Sequence, residues 1–157
     1  FPPKREEHAQ IIKSCDVIFD CTGSDTVLHN LYDFAWLGIK VFISLSINLG
    51  AQRLYCFIAE GDRFPHSSFQ RMIQPWIEAD QKQSSITDAP REGIGCWHPV
   101  FPARADDIGL LASTAIKYVV EKLSSDISNP TLAVFEQSNE HGIFTGIRKV
   151  AEIGGRD

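Results

Sequence analysis

The first stretch with the makings of chemistry is residues 16–25, DVIFDCTGSD. The apolar run Val17-Ile18-Phe19 predicts a buried strand that delivers Asp20 to its carboxyl end, and Gly23-Ser24 breaks it. In open α/β sheets, ligands bind beyond the carboxyl ends of the strands, where helix N-termini also point. A carboxylate there has two readings. It holds Mg²⁺ on a triphosphate, as a hard oxygen donor suits a hard cation. Or it caps the turn, its oxygens taking amide hydrogens from Gly23 or Ser24. Spacing alone leaves both open.

The second stretch is GIGCWHPVF, with Cys96 at its centre and Arg91, His98 and Arg104 nearby in the chain. A neighbouring cation lowers a thiol's pKa, and the thiolate is the nucleophile. The plainer reading is an inert cysteine beside a packed Trp97. His98 precedes Pro99, which holds it extended. Asp106 and Asp107 open a helix, where acidic side chains meet the positive end of the dipole. Trp36, Trp76 and Trp97 read as core or interface aromatics.

The elements that must position these groups follow from periodicity. Residues 4–14 predict a helix with Ala9, Ile12 and Ile11 inward, and 16–21 a strand. A helix capped by Ser24 or Asp25 runs to about Trp36, with Gly38 ending it. Strands at 40–46 and 52–60 are joined by a turn of a few residues and are therefore antiparallel. The strand–helix–strand unit before them implies a parallel pair. A helix over 66–81 carries Pro75 as a kink or interruption. Residues 82–104 show no periodicity and read as a long loop, of the sort that is functional or mobile. A helix at 105–123 places Ile108, Leu111, Ala112, Ala115, Ile116, Val119 and Leu123 inward. Strands at 131–137 and 142–150 close a terminal hairpin around residues 138–141. The expectation is one α/β domain over 1–157: a Rossmann-like, three-layer αβα arrangement whose mixed sheet has parallel strands and antiparallel edge strands.

The 157 residues suffice for a real core. Net charge is −5 with no basic run, which argues against a nucleic-acid or anionic-membrane surface. No apolar run approaches the roughly 20 residues that span a bilayer. The first residues are polar with no apolar h-region, so no signal peptide is expected there, and the chain opens on Phe1 rather than Met, so it is expected to be part of something longer. Cys15, Cys21, Cys56 and Cys96 include no Cys-x-x-Cys, so zinc is not expected; Cys21 and Cys56 read as buried free thiols in a reducing cytoplasm. Neither GxGxxG, Walker A nor Gly-x-Ser-x-Gly occurs, and Gly93-Ile-Gly95 lacks the flanking strand and helix of a phosphate loop.

Taken in order, these features resemble the ThiF/MoeB/HesA family, the adenylating enzymes related to ubiquitin-activating enzyme, and most closely its divergent bacterial members. DVIFDCTGSD resembles the family's D-hydrophobic-D-x-T-D-N strand. GIKVFISLSINLGAQRLYCFIAEG is similar to its next strand, glycine turn and antiparallel strand. GCWHPVFPARADDIGLLASTAIKYVVEKL is similar to the crossover segment with a thioester cysteine and the helix after it. The likeness covers roughly residues 10–123.

The resemblance implies a carboxyl-terminal portion of a ThiF-like adenylating domain, cytoplasmic and homodimeric. It implies ATP and Mg²⁺ as cofactors, with Asp20 as the metal-holding aspartate, Thr22 and Gly23 beside the nucleotide, and Cys96 near the thioester position. Its partner would be a ubiquitin-like or sulfur-carrier protein. Gly23 and Ser24 replace the family's second Asp and its Asn. The main nucleotide-binding residues would precede residue 1, so the piece alone is not expected to turn over ATP. Two rivals stand beside it. One is the later half of an NAD(P)-dependent Rossmann dehydrogenase, whose Thr-Gly turn lies on the cofactor. The other is a non-catalytic dimerisation or docking module.

Overall fold

The computed structural model describes residues 2–48, 50–83, 103–125 and 127–154. Along the chain these form α1 (Glu6–Ser14), β1 (Val17–Asp20), α2 (Asp25–Asp33), β2 (Lys40–Ile47), β3 (Arg53–Gly61), α3 (His66–Gln83), α4 (Ala105–Leu123), β4 (Thr131–Glu140) and β5 (Ile143–Gly154). The strands make one sheet in the order β1-β2-β3-β4-β5. β1 runs parallel to β2, with Asp20 opposite Ser44. The other neighbours are antiparallel. The α/β class and the mixed sheet expected from the sequence are present.

Strand alternation sends side chains to two faces, and each face is roofed by helix. On one, α2 and α3 contribute Leu28, Leu31, Phe69, Met72 and Ile73 to a cluster with Phe42, Phe57 and Leu132 of the sheet. On the other, Leu111, Ala115, Tyr118 and Val119 of α4 pack on Ile43, Leu54, Cys56 and Phe135. Phe57 meets Phe64 and Phe69 edge-on at centroid distances of 5.6 and 5.2 Å, the orientation ring quadrupoles favour. Among the described residues no helix is long and apolar enough to cross a membrane.

Five expectations need correction. α2 stops at Asp33, short of Trp36, because Phe34 turns extended and the Trp36 indole donates to the Leu31 carbonyl at 2.8 Å, taking over a helix-end acceptor. Gly38, at φ 74°, serves the turn that follows. α3 runs unbroken to Gln83 with Pro75 inside it, which overlaps the loop expected from 82. The α4 stripe is rotated: Tyr118 is buried, whereas Ala112, Ile116 and Leu123 face outward. Ile11 of α1 is also exposed. The terminal hairpin is longer than expected on both arms, and its turn is His141-Gly142. Both of those residues have positive φ, 52° and 80°, the signs of the tight turn whose twist matches antiparallel strands.

Candidate functional site

Asp20 ends β1, and the parallel register sets it level with Ser44 in the middle of β2. It is only 4% exposed. Its Oδ1 accepts two hydrogen bonds from Thr22, from the backbone N–H at 3.2 Å and from Oγ1 at 2.6 Å. Its Oδ2 accepts one from Ser44 Oγ at 3.1 Å. The Ser24 N–H in turn donates to Thr22 Oγ1 at 3.2 Å, so the hydroxyl relays order from the helix start to the carboxylate. The turn-capping role is thus met, with Thr22 rather than Gly23 or Ser24 as the donor to Asp20. Gly23 takes φ 61°, a region that costs a residue with a Cβ about 1–2 kcal/mol. Ser24 stands at the N-cap of α2 without a side-chain cap bond.

Asp20, Thr22 and Gly23 therefore lie together at the carboxyl end of β1, just before the N-terminus of α2. Among the described residues no group of three or more His, Cys, Asp or Glu is placed to hold a metal ion. One carboxylate nevertheless fits Mg²⁺ on a nucleotide, which takes one or two from the protein and the rest from phosphate and water. A carboxylate offers about four lone-pair sites, and Asp20 uses three of them here.

The first turn of α2 is also tied to α3. Asp25 Oδ1 meets His66 Nε2 at 3.1 Å and accepts from Gln70 Nε2 at 2.5 Å. The His66 ring lies edge-on to His29 at 5.2 Å. At its far end α3 is held by β3: Arg53 and Tyr55 both bond Asp80. Cys96 lies outside the described residues. What flanks it in sequence is placed: α3 roofs one face of the sheet, whereas Ala103 and Ile108 pack with α4 against the other.

Cys15 and Cys56 are free thiols. Cys56 sits in the core, where burial pushes its thiol up to about 12. Cys21 is exposed rather than buried, because it falls one residue past the end of β1.

Sequence reasoning missed Ser44, the Asp25–His66–Gln70 junction and the Arg53–Asp80 anchor. A signal for Ser44 existed. On its face β2 reads Lys40, Phe42, Ser44, Ser46, and a serine in a buried strand row asks for a partner.

No family model matches the chain. It is similar to the ATP-dependent ubiquitin transferase-like protein Cap2 of Enterobacter hormaechei subsp. hoffmannii (strain UCI 50), at 42% identity over 129 residues. That match takes in 80% of this chain and 20% of the relative, so the chain spans about a fifth of the relative's length. The likeness supports a relationship to ubiquitin-activating-like proteins.

Proposed function

We propose that the chain is the carboxyl-terminal part of a ThiF-type adenylating domain in an ATP-dependent enzyme that activates a ubiquitin-like or sulfur-carrier protein. The observation that carries the reading is the placement of Asp20, Thr22 and Gly23 at the carboxyl end of β1, in a chain 42% identical to a protein named for ATP-dependent ubiquitin transfer. In this reading a carboxylate oxygen of the carrier attacks the α-phosphorus of ATP. The bond to the β-phosphate breaks, pyrophosphate leaves, and an acyl-adenylate remains. Mg²⁺ bound to the nucleotide would offset the triphosphate charge. Asp20 is the side chain of this segment that would hold that ion, and Thr22 and Gly23 shape the turn beside it.

Cys96 is proposed as the acyl acceptor. Its thiolate attacks the acyl carbonyl, the C–O bond of the mixed carboxylic–phosphoric anhydride breaks, AMP leaves, and a thioester forms. Homodimerisation and a cytoplasmic setting go with the same reading.

The test is ATP–pyrophosphate exchange by the full-length protein with its carrier. Exchange should require Mg²⁺ and fall about a hundredfold or more in Asp20→Ala, the size of effect expected when a preorganised charge is lost. A reducible carrier adduct should disappear in Cys96→Ala; its persistence would remove Cys96 from the mechanism. One observation favours a second reading. Asp20 is almost enclosed and bonded by Thr22 and Ser44, as a purely structural acid would be. A non-catalytic docking module predicts no exchange, and carrier binding that Asp20→Ala leaves unchanged.

A further inference from the structure

Ser44 and Asp20 are 24 positions apart and meet only because β1 pairs parallel with β2. Both are almost wholly buried, at 3% and 4% exposure. Ser44 is flanked on its face by Phe42 and paired across the sheet with Phe57, both fully buried. A branched apolar residue suits such a strand position better than serine. A hydroxyl there is costly unless it bonds, and its acceptor is Asp20 Oδ2.

The two carboxylate oxygens are not equivalent. Thr22 fills Oδ1 with a backbone and a hydroxyl donor. Oδ2 has one donor, Ser44. Each carboxylate oxygen accepts at about two lone-pair sites, so the open site is on Oδ2. Thr22 fixes one end of the group and Ser44 the other, which leaves the rotation of the carboxylate set from both sides.

We infer that Ser44 is a positioning residue for Asp20, and that it presents Oδ2 as the oxygen that meets the Mg²⁺ of a bound Mg·ATP. The inference rests on the adenylation reading and deepens it. Ser44 touches neither nucleotide nor metal; it acts through the carboxylate. A hydroxyl that only tied β2 to the end of β1 would stabilise the fold without affecting metal affinity, and that difference is measurable.

The experiment is Mn²⁺ binding to the full-length protein with a non-hydrolysable ATP analogue, read from the electron paramagnetic resonance signal of free Mn²⁺. Removing a hydrogen bond to a charged group should weaken Mn²⁺ about tenfold in Ser44→Ala, with Ser44→Thr returning to within about threefold of wild type. Ser44→Cys leaves no cavity, being slightly larger, but offers only a weak S–H donor, so it should follow the alanine variant and exclude a cavity effect. Metal-free affinity for the nucleotide analogue should stay constant across all three. Wild-type Mn²⁺ affinity in Ser44→Ala, alongside reduced resistance to urea, would overturn the inference while sparing the adenylation reading. Wild-type protein that binds no Mn²⁺–nucleotide would overturn both.

Discussion

Arg53 Nη1 lies 2.5 Å from Asp80 Oδ1, so the first residue of β3 holds the last turns of α3 against the sheet. The guanidinium is shared: Nη2 donates to Glu136 Oε1 at 2.9 Å, and the group sits 5.3 Å over the Trp76 ring. The Tyr55 hydroxyl donates to the other Asp80 oxygen. Burial, and then Asp80, raises the Tyr55 pKa well above the ordinary phenol range. The side chains of Arg53 and Asp80 are 9% and 17% exposed, so little water screens the pair.

Removing one member of such a pair leaves the other charge uncompensated. Arg53→Met should lower unfolding free energy by about 2–4 kcal/mol, because Asp80 is then left without its cation and Glu136 keeps only Arg148, at 3.5 Å. Tyr55→Phe should cost less, about 1.5–3 kcal/mol for one hydrogen bond to a charged group. Urea unfolding at neutral pH measures both. A loss under about 0.5 kcal/mol for Arg53→Met, the ordinary range of a surface change, would show that the anchor does not form in solution.

Lys122 on α4 and Lys149 on β5 both bond Glu152, and both ammonium groups lie over the Tyr118 ring. The Lys122 bond first, and then Lys149, pull the Glu152 pKa down to about 2. An acid whose folded pKa lies below its unfolded value contributes stability above the unfolded value, about 4.3 for Glu, and loses it as pH falls toward the folded one. The wild-type protein should therefore lose stability between about pH 4.5 and pH 2, and Glu152→Gln should lose less over that window. The group is partly exposed, so the difference should be about 0.5–1 kcal/mol. Urea midpoints at pH 7 and pH 3 for the two proteins decide it; equal acid losses would count against the pairing.

What the sequence made legible was local. Asp20, Thr22 and Gly23 fall within one strand end and turn, and their meeting needs no long-range contact. Strand alternation and turn residues were enough for β1, β2, β3 and their directions. Ser44 with Asp20, Asp25 with His66 and Arg53 with Asp80 are separated by 24, 41 and 27 positions. No periodicity within one element reports those partners; they depend on pairing register and on how α3 crosses the sheet. Helix α4 failed for a different reason. It carries apolar residues on more than one face, so hydrophobic spacing alone could not choose which stripe meets the sheet.

That ambiguity gives a direct comparison. Leu111 is fully buried against the sheet, whereas Ile116 is 50% exposed on the outer side of the same helix. Leu111→Ala should cost about 2–4 kcal/mol through lost burial and a cavity. Ile116→Ala should change stability by no more than about 0.5 kcal/mol. Thermal unfolding of the two variants separates the sheet-facing stripe from the outer one. Similar large losses would mean that the outer stripe is also covered in the folded protein.

The cysteines differ enough to be told apart chemically. Cys56 is wholly enclosed between the sheet and α4, and burial holds its thiol at about 12, so almost none of it is thiolate at neutral pH. Cys15 and Cys21 are exposed. Iodoacetamide at pH 8, followed by peptide mass spectrometry, should label Cys15 and Cys21 in the folded protein. Cys56 should label at least about a hundredfold more slowly, reacting when the chain opens, because both access and thiolate fraction are small. Urea should abolish the difference. Labelling of Cys56 at the rate of Cys21 without denaturant would contradict its place beneath α4, and with it the packing of that helix on the sheet.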